Sequence, residues 1–427
     1  MNDSQQPGQL SRRDFVRLGT TLAGGALLAG CAPGAASPAA PPANSGAGSA
    51  PAPAQPIAQG SYVPDRVIKV GMLLPLTGNA ALAAQLNQAG MRHALKEFED
   101  KGWKFDVLVE DTKYDATAAL RATQKLIERD QVTFLLGPIG SHEALAIRDS
   151  VDAGRTIMST SSAVAREITG SRCSRYIFRS TPTSYMYGLG YGPWLAQHLG
   201  KTAYVLTADF AAGIEVAEAI MDGFKREGGE MVGYAKAPLS TTDFAPYIPP
   251  ILNSKADFVT GFLTGRNAID ALKSFQQFGV KDQMRVAYGV AFTSNDVIEA
   301  QGETAEQVYE YVEFSESLET PEYREWAQRH LELNPELKRI AHYNVHGYTA
   351  TKSVLLGIER AGSLEPERIS AAMENLSFQA PHGPIQFGPN HQATLNMYVT
   401  QVRDMKHIVL DSVVNQTDPN ANECRIG

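Results

Sequence analysis

The chain has 427 residues, of which 43% are hydrophobic and 20% are charged, and its formal net charge is −8 at pH 7. Its length is sufficient for two domains of ordinary size. The acidic balance, without any run of basic residues, disfavours a nucleic-acid partner. After the N-terminus, no segment has the roughly 20 consecutive apolar residues of a transmembrane helix, so we expect membrane contact only through an attached lipid.

Residues 1–30 have the pattern of an export signal. Arg12 and Arg13 form a twin-arginine motif ahead of the apolar stretch 18–28, which is too short for a permanent membrane span. Small residues precede Cys31, as in the lipobox at which bacterial lipoproteins are cleaved. We therefore predict export of the folded chain, cleavage before Cys31, and lipid attachment to its thiol on the outer side of the cytoplasmic membrane.

Residues 31–61 are predicted to form a flexible tether. They consist almost entirely of Ala, Pro, Gly, Ser and Gln. A segment of this composition buries too little apolar surface to offset the entropy lost on ordering, so it stays extended. Behind a lipidated cysteine, such a segment would hold a folded domain away from the membrane surface.

From residue 62 onward, short apolar strands alternate with helical patterns. The predicted strands of this first half are 67–74, 105–109, 132–136, 156–158 and 176–178. The predicted helices between them are 82–98, 116–127 and a third that begins near residue 143. This βαβ rhythm predicts an α/β fold, with a parallel sheet covered by helices on both faces.

The same rhythm restarts after residue 200. Strands are predicted at 203–207, 231–235, 257–262 and 285–288, with helices at 213–226 and 268–278. Two similar α/β halves indicate two lobes, with a ligand cleft where the carboxyl ends of their strands meet. The remaining predicted elements are helices at 321–331, 344–361 and 366–376 and a hairpin that pairs 397–403 with 407–413.

Several short motifs occur in an order that resembles one family. They are Ile68–Gly71, Leu76–Gly78, Glu110–Thr112, Leu136–Ser141, Tyr176–Ser180, Thr242–Phe244 and Gly383–Phe387. The chain resembles the branched-chain-amino-acid-type substrate-binding proteins of ABC transporters, which have the type I periplasmic-binding fold. The resemblance extends from about Ile68 to the last predicted strand.

The resemblance implies two Rossmann-like lobes joined by three crossovers, with the ligand trapped when the lobes close. The crossovers would lie near 178–183, 308–315 and 387–394. Lobe I would comprise 62–180 and 315–390, and lobe II would comprise 181–314 and 391–427. The expected partners are a small-molecule ligand and ABC permease subunits, and we expect a monomer that needs no metal or cofactor and performs no catalysis.

Two loops of lobe I are candidates for carboxylate binding. Their residues are Gly140, Ser141 and His142 at a predicted helix start, and Ser161, Ser162 and Ala163 after the next strand. Hydroxyl groups and the backbone N–H groups of a helix N-terminus together favour an anion. In the resembled family these loops hold a ligand carboxylate. The alternative is that the residues only cap a helix and form turns.

Lobe II supplies three further candidates, and lobe I one more. The resemblance places Phe210 as an aromatic lid and Ala83 where some members carry a bulky aromatic residue. Asn267, preceded by Arg266, stands where amino-acid binders carry an acidic residue that pairs with the ligand ammonium. This departure favours an acid without an amino group, unless Asp209 takes the place of the missing carboxylate.

An enzyme and a ligand sensor are the two alternatives to a transport receptor. An enzyme could use Ser141 and His142, but the sequence has no Gly-x-Ser-x-Gly elbow, and neighbouring side chains at a helix start do not face each other. His342 and His346 have the spacing of paired metal ligands without the glutamate of a His-Glu-x-x-His motif. A ligand sensor of the same fold is the other alternative, and a tether beside the membrane favours transport.

The two cysteines that remain after Cys31 are Cys173 and Cys424. Outside the cytoplasm free thiols are usually paired, so we predict a disulfide between them. This bond would fasten a C-terminal tail with little apolar surface across a loop of about 250 residues. The alternative is two unpaired cysteines, one buried and one at a frayed end.

Overall fold

Residues 62–78, 80–419 and 423–426 are described by the structure, a computed structural model. The predicted signal, Cys31 and the predicted tether lie outside these residues. Among the helices of the described part, none has the length and apolar character needed to cross a membrane.

Strands and helices alternate along most of the described chain. The strands are β1 (Ile68–Leu74), β2 (Phe105–Asp111), β3 (Phe134–Leu136), β4 (Ile157–Thr160), β5 (Ile177–Arg179), β6 (Thr202–Ala208), β7 (Glu230–Ala237), β8 (Phe258–Thr260), β9 (Arg285–Gly289), β10 (Tyr309–Val312), β11 (Ser377–Ala380), β12 (Gly383–Phe387), β13 (Ala393–Arg403) and β14 (Lys406–Gln416). The helices are α1 (Ala81–Glu99), α2 (Ala116–Gln124), α3 (Ser141–Ala153), α4 (Met186–Leu189), α5 (Tyr191–His198), α6 (Ala211–Arg226), α7 (Ile248–Ser254), α8 (Gly265–Gln277), α9 (Val280–Gln283), α10 (Ile298–Gln301), α11 (Pro321–Leu333), α12 (His342–Ala361) and α13 (Pro366–Met373).

The first five strands form a parallel sheet in the order β2-β1-β3-β4-β5. Strands β3, β4 and β5 are buried along their whole length, and β1 exposes only Lys69. Continuous apolar runs of this kind are typical of parallel strands, because helices cover both faces of the sheet. The later helices α12 and α13 return to pack on this sheet. The sheet and its helices are the first lobe.

The second lobe is built on a sheet of nine strands that includes β6 to β10. Strands β7, β6, β8, β9 and β10 are parallel neighbours in that order, and β13 joins β10 in antiparallel fashion. Strands β11 and β12 extend the sheet beyond β13, and β14 pairs with β13. The two-lobed α/β class predicted from the sequence is confirmed.

The chain passes between the sheets after β5, after β10 and around the β12–β13 connection. One predicted crossover differs in detail, because residues 309–312 form β10 and the chain leaves the sheet only after Val312. The predicted helix 366–376 ends at Met373, and the β11–β12 hairpin that follows was not predicted. The lobe bounds given above stay a prediction.

Helices α1 and α12 approach each other closely in the first lobe. A Cβ atom added at Gly90 would lie 1.9 Å from the carbonyl oxygen of Asn344, and one at Gly347 would lie 2.0 Å from that of Asn87. Only glycine permits two backbones to approach this closely. The side-chain amide of Asn87 also donates to the carbonyl oxygen of Tyr343 over 3.2 Å. This packing fixes α12, and therefore its histidines, beside the first sheet.

The predicted disulfide is present. Cys173 and Cys424 are bonded, with their Cα atoms 5.5 Å apart and a sequence separation of 251. Cys173 lies between β4 and β5 of the first sheet, and its carbonyl oxygen accepts a hydrogen bond from Arg148 over 2.9 Å. The alternative of two unpaired cysteines is therefore wrong for this structure.

Candidate functional site

Two loops at the carboxyl ends of the neighbouring strands β3 and β4 form the centre of the candidate site. Ser141 is half-buried at the start of α3, and its hydroxyl accepts hydrogen bonds from the backbone N–H groups of Val164 and Ala165, each over 3.0 Å. The structure thus brings together the two loops that the sequence assigns to carboxylate binding. Ser141 fastens one loop to the other, and its contact with a solute stays a prediction.

Neighbouring side chains brace the start of α3. The backbone N–H of Gly140 donates to Oε2 of the buried Glu143 over 3.0 Å, and burial raises the pKa of that carboxyl group. His142 is exposed, and its Nε2 lies 3.0 Å from the carbonyl oxygen of Tyr114. The Gly140 bond fixes the start of α3, whose remaining N–H groups carry the partial positive charge that favours an anion.

The loop after β4 contains an unpartnered hydroxyl. Ser161 and Ala163 are completely buried, and the Ser161 hydroxyl has no hydrogen-bond partner among the residues that the structure describes. Buried polar groups normally have such a partner. The Ser161 hydroxyl therefore marks a place for a solute atom or a water molecule beside the start of α3.

Ser162 connects this loop to a charged pair that sequence reasoning missed. Its hydroxyl donates to the carbonyl oxygen of Ser161 over 2.6 Å and lies 3.0 Å from Nδ1 of His346 on α12. On the other side of the ring, Nε2 of His346 lies 2.6 Å from Oε1 of Glu313, which follows β10 directly. Asn87 of α1 approaches the same hydroxyl at 3.4 Å.

Glu313 is the charged member of this network. Burial alone would raise the pKa of Glu313, but the charge and hydrogen bond of His346 and the charge of His342 hold it at about 2. Since an ionised carboxylate only accepts hydrogen bonds, Nε2 of His346 donates to Glu313. The Ser162 hydroxyl lies within hydrogen-bond distance of both Nδ1 of His346 and the carbonyl oxygen of Ser161. The network therefore joins the candidate carboxylate loop to α12 and to the residue that follows β10.

Arg179 lies beneath the same loop. It is fully buried at the end of β5, and its guanidinium donates to the carbonyl oxygen of Ala165 over 2.6 Å and to that of Ala163 over 3.3 Å. It also donates to Oε1 of Gln392 over 2.6 Å, next to the start of β13. Burial lowers the pKa of Arg179 to about 9, which leaves it a cation at neutral pH. Arg179 therefore joins the loop to two crossovers and adds positive charge below it.

The candidates of the second lobe are held differently. Phe210 is half-buried just before α6, with its ring centroid 6.0 Å from that of Phe262. Asn267 is buried, and its amide donates to the carbonyl oxygen of Thr241 over 2.6 Å. Arg266 is largely exposed and pairs with Asp270 of the next helical turn.

The amide of Asn267 therefore fastens the loop at residue 241. Its predicted position opposite a ligand ammonium stays a prediction. Asp209, the possible substitute acid, pairs with Lys236 over 2.9 Å. In the first lobe, Ala83 is half-buried in the first turn of α1.

Ser162, His346 and Glu313 have the residue types of a hydrolase triad, in which the histidine accepts the proton of the serine. Here the Ser162 hydroxyl has a second acceptor, the carbonyl oxygen of Ser161 at 2.6 Å, so it is not committed to His346. In the described part of the chain, no group of three or more His, Cys, Asp or Glu could hold a metal ion, and His342 with His346 forms a pair only. The unpartnered Ser161 hydroxyl beside the start of α3 is suited to binding an anion.

Comparison with known proteins agrees with this geometry. The family model of the periplasmic binding proteins matches residues 67–406. A Leu/Ile/Val-binding protein homolog of Brucella melitensis is 23% identical over 343 residues, which cover 79% of this chain and 87% of the relative.

Two solved structures from Rhodopseudomonas palustris have the same fold. One is an ABC-transporter solute-binding protein in complex with 3,4-dihydroxybenzoic acid, with a TM-score of 0.76 and 24% identity over 83% of this chain and 99% of that one. The other is in complex with benzoate, with a TM-score of 0.77 and 21% identity over 84% of this chain and 100% of that one. At these identities the likeness establishes the fold.

Proposed function

Because the chain belongs to the periplasmic binding protein family, we propose that it captures a small carboxylate solute outside the cytoplasm and delivers it to an ABC importer. The protein binds a small molecule and is not an enzyme, as its family and its relatives indicate. The carboxylate, the coupling to transport and the anchor are the proposed parts.

The unpartnered hydroxyl of Ser161 is the observation that carries the proposal. It is buried beside the start of α3, with the Arg179 guanidinium on the inner side of its loop. A carboxylate placed there would accept hydrogen bonds from the hydroxyl and from free N–H groups of the helix start, in the field of this buried cation. An uncharged solute would gain much less from the cation.

For the solute we propose an acid without an amino group, such as an aromatic or keto acid. An ammonium group needs a carboxylate partner when it is desolvated. Asn267 offers an amide that is already bonded to Thr241, and Asp209 is already paired with Lys236. The benzoate and dihydroxybenzoate complexes of the structural neighbours belong to the proposed class, whereas the name of the Brucella relative points to amino acids.

For the cellular setting we propose that Cys31 carries a lipid and that residues 31–61 tether the binding domain beside its permease. A tethered receptor stays at a high effective concentration near the membrane protein that it serves. Labelling of the expressed protein with a radioactive fatty acid tests the anchor. Incorporation that is lost in Cys31→Ser supports it, and incorporation that persists in this variant contradicts it.

A thermal-shift screen of the soluble chain from residue 32 onward, which is the mature chain without the lipidated Cys31, tests the proposed solute. A solute present at 100 times its Kd raises the unfolding free energy by about 2.7 kcal/mol, so binders stand out clearly. We expect shifts with aromatic or keto acids, and an affinity reduced about tenfold in Ser161→Ala, since one hydrogen bond to a charged group is lost.

Ser370→Ala is the matched control, because Ser370 is also a buried serine but lies on α13 and bonds to Arg175. It should retain the affinity of the unaltered protein. Equal loss of affinity in both variants, or shifts produced only by uncharged solutes, would contradict the proposed site.

A further inference from the structure

The C-terminal segment connects the two lobes a fourth time. Strand β14 pairs with β13 in the sheet of the second lobe and ends at Gln416. Cys424 is nevertheless bonded to Cys173, which lies between β4 and β5 of the first lobe. The chain therefore leaves the second lobe after β14 and is covalently attached to the first.

A second attachment lies between these two points. Asp418 is 4% exposed, and its carboxylate accepts two hydrogen bonds from Arg166, over 2.7 and 3.0 Å. It also accepts one from the Thr183 hydroxyl over 2.7 Å, in the crossover that follows β5. The Arg166 guanidinium in turn stacks over the ring of Tyr185 at 4.1 Å. A largely buried bidentate pair of arginine and carboxylate has a defined geometry and is stronger than a typical ion pair on the surface.

These attachments are next to the candidate solute loop. Arg166 follows Ala165, whose backbone N–H is held by the Ser141 hydroxyl and whose carbonyl oxygen is held by Arg179. Because Arg166 directly follows Ala165, a force on Asp418 would be transmitted to the loop after β4 across a single peptide bond. The three crossovers have no comparable covalent reinforcement among the described residues.

We propose that the segment from Asp418 to Cys424 is a strap that limits how far the two lobes separate when no solute is bound. Hinged lobes joined by crossovers open by rotation about those connections. Asp418 is two residues past β14, so only about 7 Å of backbone separates the edge of the second lobe from the ion pair with Arg166. If that pair breaks, Cys424 still sets an outer limit of about 28 Å along the extended chain.

The outer limit depends on the redox state. A dithiol such as dithiothreitol gives two electrons and two protons to the Cys173–Cys424 bond and is itself oxidised to a disulfide, leaving two cysteine thiols. Reduction removes the outer limit, while the Asp418 pair keeps the shorter one. Because apparent affinity scales with the fraction of molecules in the binding-competent arrangement, loss of both limits widens the range of open states and weakens solute binding.

Distances between the lobes test the strap without any solute, so the result is independent of the proposed function. Spin labels on non-natural residues at the exposed positions Gln124 of α2 and Lys225 of α6 would be measured by double electron–electron resonance in the mature chain. The oxidised protein should give a narrow distribution. The triple variant Asp418→Ala/Cys173→Ser/Cys424→Ser, which loses both attachments, should give a broader one with a longer mean distance.

Asp418→Ala in the oxidised protein keeps the proposal testable if the triple variant fails to fold. It should give an intermediate shift, because only the short attachment is lost. Arg425→Ala is the matched control, since Arg425 lies beyond the disulfide and cannot transmit tension. A distribution in Asp418→Ala identical to that of the oxidised parent would overturn the strap.

Discussion

The two lobes contribute to the candidate site with different degrees of internal bonding. In the first lobe, Ser141, Ser162 and His346 are each hydrogen-bonded to groups far away in the sequence. In the second lobe, Asn267 bonds to Thr241, whereas Phe210 makes a ring contact and Arg266 pairs with a residue in the next turn. Pre-organised groups lose little entropy on binding. The first lobe therefore holds the more pre-organised part of the candidate site, and we propose that it is the half that recognises the solute.

Removal of the His346 side chain should have the largest effect. In His346→Ala the buried Glu313 carboxylate loses its hydrogen-bond partner, and leaving a buried charge without its partner lowers the unfolding free energy by about 3–5 kcal/mol. Urea unfolding monitored by circular dichroism measures it. His142→Ala, an exposed histidine of the same lobe, should change the value by less than about 0.5 kcal/mol. A similar small change in both variants would show that the network does not stabilise the first lobe.

The same pair predicts an acid dependence of stability. The pKa of Glu313 is lowered from 4.5 to about 2 in the folded protein. Its contribution is therefore complete above about pH 4.5 and is lost as the pH falls through about 2, with a size of about 3 kcal/mol. The unfolding free energies of the parent and of Glu313→Gln should differ most near neutral pH and converge as the pH falls through about 2. A difference that stays constant with pH would contradict the assignment of Glu313 as an ionised partner of His346.

The smallest effect is expected in the second lobe. Arg266→Ala removes an exposed side chain whose ion pair is screened by solvent, so the affinity for an acidic solute should change less than twofold. Isothermal titration compares it with Ser161→Ala, for which we expect about a tenfold loss. A larger loss in Arg266→Ala would mean that the second lobe supplies the charge that recognises the solute.

Local patterns predicted the fold well where elements are long and periodic. Helices α1 and α12 and the central strands of both sheets lie where the sequence indicates. Strand β10 and the β11–β12 hairpin were missed because they are short and their sequences have no clear strand pattern. They are strands because β10 pairs with the distant β13 and β11 pairs with β12. The disulfide was predictable from the number of cysteines and the export signal, without knowledge of the geometry.

The candidate site was predictable only in part. Glycine and serine residues before a helix and after a strand revealed the two loops around Ser141 and Ser161. Glu313 and Arg179 were missed, because their partners His346 and Gln392 are 33 and 213 residues away in the chain. Arg179 could have been identified from the motif Tyr176–Ser180, since a charged residue at the end of a buried strand needs a buried partner.

We propose that the protein recognises a solute by its carboxylate and, among the described residues of the candidate site, has no acidic side chain free to pair with a solute ammonium group. Calorimetric titration with leucine and with its keto acid, 4-methyl-2-oxopentanoate, tests this proposal most directly. The two solutes share the carbon skeleton and the carboxylate and differ at the amino group. We predict that the keto acid, or benzoate as an aromatic alternative, binds the mature chain at least ten times more tightly than leucine, and that Ser161→Ala weakens this binding. Tight binding of leucine with no response to either acid would contradict the account.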